Sequence, residues 1–366
     1  FPNKTFHVMG GIRADDLTDV TISFDGTIVF SDDMDEWPRN GDGSVFPCLL
    51  FNNPTNVVWT SSGKGLLDGK GKKWWGFPGI GYLQHGENRP RLIESNGGTN
   101  LLVENIIMKD SPYWTFWFHN VNHLEVRNCD IDARRDDRDN HNLYDITAFN
   151  TDGYDVTGRD VWIHDCSVWC QDDTIAVKDD SQDMVFERIT ASGVGLTIGS
   201  IGNSLVKNIT FRDIYMHDSY KGIYMKFRGD GGTIQDVTYE NIHMESPSQW
   251  PIWIGPAQQS DSNRLCAAHP CSICWPDVPF SQCDAGASQY KNILLKNITI
   301  NNPKLNPGVI FGNDTTAMEN IVFEDVKVTN PHKGKEDYYK CDGVKNGIAR
   351  GSTYPVPACF EDQTGQ

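Results

Sequence analysis

The sequence lacks several features that mark other classes of protein. It contains no run of about 20 consecutive apolar residues, the length that a membrane-spanning helix needs, so we expect no membrane partner. Basic residues are scarce, with 32 Lys and Arg against 49 Asp and Glu and a net charge of −17. Because nucleic-acid binding depends on clustered basic side chains, this balance argues against such a partner. No basic-then-apolar leader follows Phe1, so we expect that a signal peptide has been removed.

The sequence contains ten cysteines, and their number bears on whether the protein is secreted. An even number of cysteines and four N-x-[S/T] sequons together favour a secreted, disulfide-bonded glycoprotein. We expect Cys341 and Cys359 to close a C-terminal loop. The cluster from Cys266 to Cys283 has a spacing that also resembles an iron–sulfur site, but disulfides are favoured in an oxidising compartment. The ten cysteines are Cys48, Cys129, Cys166, Cys170, Cys266, Cys271, Cys274, Cys283, Cys341 and Cys359.

A nine-residue phrase recurs along the chain and forms the main structural signal. Each copy opens on a polar residue, alternates apolar residues, and places a polar residue at its sixth position. This pattern predicts two short strands joined at a hinge. Most copies start 23 to 28 residues apart, and we interpret the interval of 56 residues as two units, with a degraded or insertion-bearing copy between them. The eight clear copies start at Asn100, His123, Asp160, Asp183, Asn208, Asp236, Asn292 and Asn320, and weaker copies at Asp19 and Asn56.

The hinge position predicts how the coils turn. Asn and Asp tolerate a left-handed backbone and bond their own main chain, so they suit a bend that repeats from coil to coil. Strand pairs at this period, with no helical segment between them, predict an all-β, right-handed parallel β-helix. We expect one domain over residues 1–366, because a solenoid core grows along its axis, with a Cys-rich insertion at about 246–289. The hinge residues are Asn105, Asn128, Asp165, Asp213, Asn241, Asn297 and Asp325, with Arg188 as the exception.

The same repeat separates the four sequons into two groups. Asn297 occupies a hinge and Asn208 opens a strand, so both have a structural explanation. Asn3 and Asn313 lie outside the repeat and are the expected glycan carriers.

Three acidic residues have a spacing that favours chemistry. Asp152 and Asp173 are separated by one short coil, and Val194 lies one further coil along, so these positions should line one face of successive turns. Asp172 adds a third carboxylate. Like charges this close keep at least one carboxyl group protonated, which glycoside hydrolysis requires of its acid. Two alternatives remain open: solvated turn residues, or a calcium site.

The segments around these acids resemble glycoside hydrolase family 28, the polygalacturonase and rhamnogalacturonase family. Asn150-Thr151-Asp152 begins the sequence N-T-D-G-Y-D, and Gln171-Asp172-Asp173 begins Q-D-D-T-I-A-V. The resemblance covers most of the chain. The other matching segments, in order, are Leu67–Gly71, Trp74-Trp75, Arg89–Ile93, Ser111–Trp114, Gly195–Ser200 and Lys226.

This resemblance implies hydrolysis by single displacement with inversion and no cofactor or metal. By motif position, Asp172 is the general acid, while Asp152 and Asp173 hold and activate water. An inverting pair is expected to stand roughly 6.5–9.5 Å apart. Lys226 matches the lysine that contacts a substrate carboxylate. Asn150, Gln171 and Arg228 are further candidates for substrate binding, each with an ordinary structural role as the alternative.

The chain departs from the family pattern at three positions. Val194 replaces the active-site histidine, Thr174 replaces a disulfide cysteine, and Tyr224 replaces the arginine of the R-I-K motif. Because Arg is the preferred partner of a carboxylate, its loss weakens recognition of galacturonate. A Tyr at this position suits stacking on a neutral sugar, as in rhamnogalacturonases.

The sequence therefore predicts a secreted, monomeric, inverting hydrolase that cleaves a pectic polysaccharide, either galacturonan or rhamnogalacturonan. Three alternatives remain: a carbohydrate-binding β-helix with a decayed site, a hydrolase of a non-pectic glycan, and a calcium-dependent pectic lyase. Release of reducing ends, ultraviolet absorbance of the product and sensitivity to chelators distinguish them.

Overall fold

In this computed structural model the chain consists almost entirely of β-strands. The structure describes residues 1–63, 65–76, 88–135, 147–228, 231–257, 271, 275–276, 278, 281–334 and 338–365. Packing divides the chain into two compact units, Phe1–Ala176 with Met184–Val194, and Val177–Asp183 with Gly195–Gln366. Each is described separately. In the described residues no helix has the length and apolar character needed to cross a membrane.

The first unit is a stack of parallel strands. One short 3-10 helix, Gly71–Lys73, interrupts them. The strands are β1 (Thr5–Val8), β2 (Ile12–Asp15), β3 (Thr18–Ser23), β4 (Thr27–Phe30), β5 (Leu49–Asn52), β6 (Thr55–Thr60), β7 (Gly65–Asp68), β8 (Ile93–Asn96), β9 (Thr99–Glu104), β10 (Ile106–Lys109), β11 (Phe116–Arg127), β12 (Asp130–Asp132) and β13 (Tyr154–Trp169).

The second unit has the same architecture. Two strands, β14 (Ile175–Val177) and β15 (Gln182–Ser192), include the chain positions at which the units divide. The remaining strands are β16 (Leu196–Ile201), β17 (Leu205–His217), β18 (Ile223–Phe227), β19 (Thr233–Glu245), β20 (Ile252–Pro256), β21 (Gln289–Asn301), β22 (Gly308–Phe311), β23 (Met318–Thr329), β24 (Lys340–Asp342), β25 (Val344–Lys345), β26 (Ile348–Gly351) and β27 (Glu361–Thr364).

Each coil contains three strands rather than the two that the repeat predicts. In the first unit β8, β9 and β10 form one coil. In the next coil β11 is long enough to pair in parallel with both β8 and β9, and β12 pairs with β10. In the coil after that, β13 pairs with both β11 and β12. Three rows of buried side chains run through the core as a result. The missed strand has few residues and is buried on both faces, so it shows no alternation in sequence. The rows are Leu49, Ile93, Phe116 and Tyr154; Val57, Leu101, Leu124 and Val161; and Leu67, Met108, Ile131 and Val168.

The predicted hinges are confirmed by their backbone conformation. All eight have positive φ, between 51° and 59°, and the exception Arg188 adopts it as well. Many of these side chains pair with the coil above or below. Asn241 Nδ2, for example, donates to Asp213 Oδ1 at 2.9 Å, and Asn297 Nδ2 donates to Asn241 Oδ1 at 2.9 Å. Such bonds link successive bends into ladders and satisfy their amides.

The interval of 56 residues is a single coil, which corrects the prediction of a degraded copy. β19 pairs directly with β21, and Asn292 Nδ2 donates to Asp236 Oδ1 at 2.8 Å. No coil separates them, so the extra residues are an insertion that adds chain without adding to the stack. Within the predicted insertion at 246–289, β20 pairs with β18 and β22 and therefore belongs to the coils. Much of the remainder lies outside the described residues, and the single-domain assignment stays a prediction.

The cysteines divide between disulfides and buried thiols. The predicted pair Cys341–Cys359 is confirmed, and Cys271 pairs with Cys283 in the Cys-rich cluster. Cys266 and Cys274 lie outside the described residues. Four cysteines are buried thiols, against the expectation from the even count. They are Cys48, Cys129, Cys166 and Cys170.

The sequons behave as the repeat predicts. Asn208 Nδ2 donates to Asp183 Oδ1 at 2.6 Å, and Asn297 belongs to a ladder. A glycan on either amide would remove that bond. Asn3 is exposed, and Asn313 Oδ1 accepts bonds from the backbone and hydroxyl of Thr315. Glycosylation of Asn3 and Asn313 stays a prediction.

Candidate active site

Asp152, Asp172 and Asp173 converge in the first unit, as their spacing predicts. Each offers a carboxylate oxygen within 4.8 Å of the other two. Asp152 and Asp173 retain only 3% and 2% of their surface exposed, while Asp172 is half-buried. Three carboxylates in partial isolation from water repel each other strongly, since low-dielectric surroundings screen charge poorly. Such an arrangement can share a proton, hold a water molecule or bind a hard cation.

Backbone hydrogen bonds stack the turns that carry these residues. Thr115 N–H donates to the Asp152 carbonyl at 2.9 Å, and Gly153 N–H donates to the Asp173 carbonyl at 2.9 Å. Val194 N–H donates to the Asp172 carbonyl at 2.7 Å. Val194 therefore lies beside the acids, at the position where the resemblance expects a histidine.

Main-chain donors orient the carboxylate of Asp172. Its Oδ1 accepts from Asp173 N–H at 2.8 Å, and its Oδ2 accepts from Asn150 N–H at 3.1 Å. Asn150 has a φ of 57°, a conformation that Asn tolerates better than most residues. Thus Asn150 contributes to the site through its backbone, in line with the structural alternative. Contact of its side chain with substrate stays a prediction.

Arg89 supports this turn from behind, a role that sequence reasoning missed. It is 2% exposed, and its guanidinium donates to Asn150 Oδ1 at 2.9 Å and to the Phe149 carbonyl at 2.7 Å. A third bond reaches the Pro112 carbonyl at 3.2 Å. The planar fork of Arg suits several fixed acceptors at once. The Arg89–Ile93 segment carried part of the family resemblance, but nothing in its pattern pointed to a contact 61 residues along the chain.

A buried thiol lies under the two consecutive acids. Cys170 Sγ donates to the carbonyls of Asp172 at 3.2 Å and Asp173 at 3.6 Å. Burial raises the pKa of the Cys170 thiol well above its ordinary value, so it remains a proton donor. A Cβ at Gly193 would lie 2.7 Å from the Thr174 hydroxyl and 2.9 Å from Cys170 Sγ, so only glycine fits there.

Gln171 is buried beneath the same turn. It is 1% exposed, its Nε2 donates to the Ala133 carbonyl at 3.3 Å, and its N–H donates to Thr151 Oγ1 at 3.1 Å. These bonds support a role in holding the turn. Direct contact with substrate stays a prediction.

In the second unit, Tyr224 and Lys226 form a separate cluster with Lys221, which sequence reasoning missed. Lys226 Nζ lies 4.3 Å and Lys221 Nζ 5.2 Å from the centre of the Tyr224 ring. All three are at least nine-tenths buried. Lys221 Nζ also donates to Gln249 Oε1. Two ammonium groups beside one aromatic ring are a cation–π arrangement and a strong local positive charge. With 4% of Tyr224 exposed, its ring offers little area for stacking on a sugar.

Arg228, in the second unit, forms an ion pair with Asp179. Its guanidinium pairs with Asp179 and donates to the Ser200 carbonyl at 2.5 Å. About half of its side chain is exposed. Hence Arg228 has a structural role, and its predicted contact with substrate stays untested.

The stacked parallel coils with converging aspartates define a parallel β-helix protein of the kind that acts on carbohydrate chains. The sequence profile described as glycosyl hydrolases family 28 matches residues 8–350. The chain belongs to this family. The prediction made from its motifs is thereby confirmed.

Individual relatives agree with this assignment. An endopolygalacturonase of Emericella nidulans is 26% identical over 340 residues, which cover 92% of this chain and 79% of the relative. The probable endopolygalacturonase C of Aspergillus aculeatus is 29% identical over 246 residues, 65% of this chain and 59% of the relative. The matched region thus spans about three fifths of the length of several curated relatives.

Solved structures share the fold. An endo-xylogalacturonan hydrolase from Aspergillus tubingensis superposes with a TM-score of 0.69 at 18% identity, covering 100% of this chain and 91% of that one. An exopolygalacturonase from Thermotoga maritima gives 0.65 at 18% identity, covering 95% and 83%. The predicted right-handed parallel β-helix is confirmed.

Proposed function

We propose that this chain is a secreted, inverting glycoside hydrolase that cleaves the backbone of a pectic polysaccharide. The observation that carries the proposal is the convergence of three aspartates within 4.8 Å in a member of glycosyl hydrolases family 28. Relatives named as endopolygalacturonases favour galacturonan as the substrate and attack within the chain. The monomeric state and absence of a cofactor belong to the same proposal.

The burial of the three acids supports a division of roles. Asp172 is the most exposed of them and is held by main-chain donors, so it is placed to protonate the glycosidic oxygen. Asp152 and Asp173 lie deeper and would hold the attacking water between them.

The separation expected of the acids stays a prediction. One oxygen of each carboxylate lies within 4.8 Å of the others, whereas the roughly 6.5–9.5 Å expected of an inverting pair is measured between whole carboxyl groups. Asp172 and Asp173 are consecutive residues of one tight turn, and this brings them together. We propose inversion because the family implies it, with the water lying between Asp152 and Asp173 rather than between acid and base.

Substrate recognition is proposed to use Lys226 and Tyr224, with Lys221 as a second cation. Lys226 would contact a substrate carboxylate, and the charge of Lys221 would compensate for the arginine that Tyr224 replaces. Asn150 and Gln171 would support the turns that carry the three acids, and Arg228 would contact substrate from the second unit. A rhamnogalacturonan backbone is the second candidate substrate, because Tyr224 stands where a cation is expected.

Proton NMR during digestion of homogalacturonan and of a rhamnogalacturonan backbone tests the proposal. New reducing ends that first appear in the inverted anomeric form would support it, and the digested polymer would identify the substrate. Initial retention of configuration would refute the single-displacement mechanism. An unsaturated, ultraviolet-absorbing product that chelators suppress would identify a lyase. Binding without cleavage would identify a carbohydrate-binding protein, and inactivity on both polymers would point to another glycan.

A further inference from the structure

A lysine-rich depression of about 530 Å³ lies in the first unit, apart from the three acids. It contains four lysines in a chain whose net charge is −17. Two of its ion pairs are weak and partly exposed: Lys70 Nζ lies 3.2 Å from Asp68, and Lys72 Nζ lies 3.7 Å from Asp110. The lining residues are Asp32, Asp68, Lys70, Lys72, Lys73, Lys109 and Asp110.

The depression is built by the fold rather than by chance proximity of surface side chains. The 3-10 helix Gly71–Lys73 packs on the backbone that follows β10, where Gly71 N–H donates to the Asp110 carbonyl at 2.7 Å. A Cβ at Gly69 or Gly71 would approach that carbonyl within 2.7 Å, so glycine is needed at both positions. These contacts fix the direction in which the lysines leave the main chain.

Asp110 carries the second indication of a ligand. It is 6% exposed, and its buried Oδ1 makes no hydrogen bond within the part of the chain that the structure describes. A buried carboxylate oxygen without a donor is costly, so a hydroxyl that reaches it from the depression would be favoured.

The depression shares an edge of the sheet with the three acids. β7, β10, β12 and β13 pair side by side, with Asp68, Lys109, Asp132 and Trp169 in register. Three of the lysines follow β7 and Lys109 ends β10, while Asp172 follows β13 by three residues. From β10 to β13 there are two strand spacings, about 10 Å. A polysaccharide lying along this edge would span both places.

We propose that the lysine-rich depression is an accessory subsite that binds carboxylated sugar residues of the polysaccharide, two coils from the catalytic aspartates. Lysine ammonium groups pair with sugar carboxylates, while Asp32, Asp68 and Asp110 accept bonds from sugar hydroxyls. This inference rests on the proposed function for its substrate class, and it implies that long acidic chains bind more tightly than short ones.

Charge reversal at the rim tests the subsite. The variant K72E/K73E changes two exposed lysines of the depression, and K304E/K333E makes the same charge change at exposed lysines of the second unit. We expect K72E/K73E to raise KM for polygalacturonate about fivefold with kcat within about twofold, and the control to change neither. Cleavage of a galacturonate trimer, which offers fewer carboxylates to the depression, should be affected less than cleavage of the polymer.

A second assay separates the subsite from catalysis. Affinity electrophoresis in gels with polygalacturonate or with neutral galactan measures binding without any reaction. The wild-type chain should be retarded by polygalacturonate alone, and K72E/K73E should lose that retardation. If the wild type cleaves polygalacturonate and K72E/K73E matches it in KM and mobility, the subsite is refuted while the proposed function stands. If the wild type is retarded by polygalacturonate, K72E/K73E is not, and neither cleaves the polymer, the subsite stands and the proposed hydrolase function is refuted.

Discussion

Two groups of Asn and Asp side chains lie at the bends of this molecule, and their surroundings differ. In the ladders, Asn241 is exposed, has a φ of 55°, and pairs through its amide with Asp213 and Asn297. In the candidate site, Asp152 and Asp173 are buried without positive φ, and carboxylate faces carboxylate. The first arrangement pairs amide groups with oxygen acceptors, whereas the second brings like charges close together, which costs stability. An arrangement that costs stability is expected to serve function.

The largest expected effect follows from removing one of the converging charges. Asp173→Asn should lower kcat by about 10³-fold or more, because the water loses a base. It should leave the melting temperature unchanged or raise it, because repulsion among the acids falls. Rates of reducing-end release and thermal unfolding measure both quantities.

A ladder aspartate supplies the matched control. Asp236→Asn makes the same chemical change at an exposed bend, where Asp236 Oδ1 accepts from Asn292. Its activity should equal that of the wild type. Full activity in Asp173→Asn would refute a catalytic role for the converging acids. Inactivity in Asp236→Asn would show that a ladder residue is needed for the reaction.

Arg89 is expected to act as a positioning residue, so that its replacement lowers both the unfolding free energy and kcat. Arg89→Met removes the donor from one buried and two partly buried acceptors, which should cost about 3 kcal/mol of unfolding free energy. The displaced Asn150 should lower kcat with little change in KM. Arg89→Lys restores the charge but not the fork, so it should recover part of both losses. A stability loss with kcat intact would assign Arg89 a purely structural role.

The fold could be predicted because its signal is local and repeated. The hinge recurs within each nine-residue phrase, and even Arg188 adopts the predicted conformation, with its guanidinium bonded to Asp165 in the preceding coil. The third strand of each coil escaped because a strand buried on both faces does not alternate. The interval of 56 residues was misread because an insertion and an additional coil have the same length.

Only those site residues that lie in a recognisable sequence segment could be predicted. Asp152, Asp172 and Asp173 lie in recognisable segments one coil apart, so spacing and motif agree. Arg89, by contrast, acts through contacts some 60 residues along the chain, and Lys221 through burial beside Tyr224. Neither contact leaves a periodic signal. Such residues become visible only when the stack places distant segments together.

Asp110 is buried like the acids of the candidate site but has a cationic neighbour, Lys72. Its carboxyl group should make the stability of the protein depend on pH. Burial is the main cause that raises the pKa of Asp110 from 3.8 to about 6, opposed by Lys72 and Lys109 and reinforced by Asp68 and Asp132. Its contribution to stability is therefore full below pH 3.8 and is lost as pH rises through 6. The loss amounts to about 3 kcal/mol.

Urea unfolding of the wild type and Asp110→Asn at pH 4 and pH 7 measures this loss. Because the amide does not titrate, stability of the variant relative to wild type should rise by about 2 kcal/mol between the two pH values. A difference that is independent of pH would mean that Asp110 titrates normally, and that the lysines already neutralise it.

The smallest expected effect concerns the ladders, and it tests whether their bends are structural alone. Asn241→Ala removes two hydrogen bonds and places a Cβ-bearing residue without a local bond at a φ of 55°, so it should cost about 2 kcal/mol of unfolding free energy. Asn241→Gly removes the same bonds but accepts the backbone, so it should cost about 1 kcal/mol. Both should keep wild-type kcat in the reducing-end assay. A loss of kcat in the glycine variant would mean that ladder and site are coupled, and that the difference between the two groups of bends is one of degree.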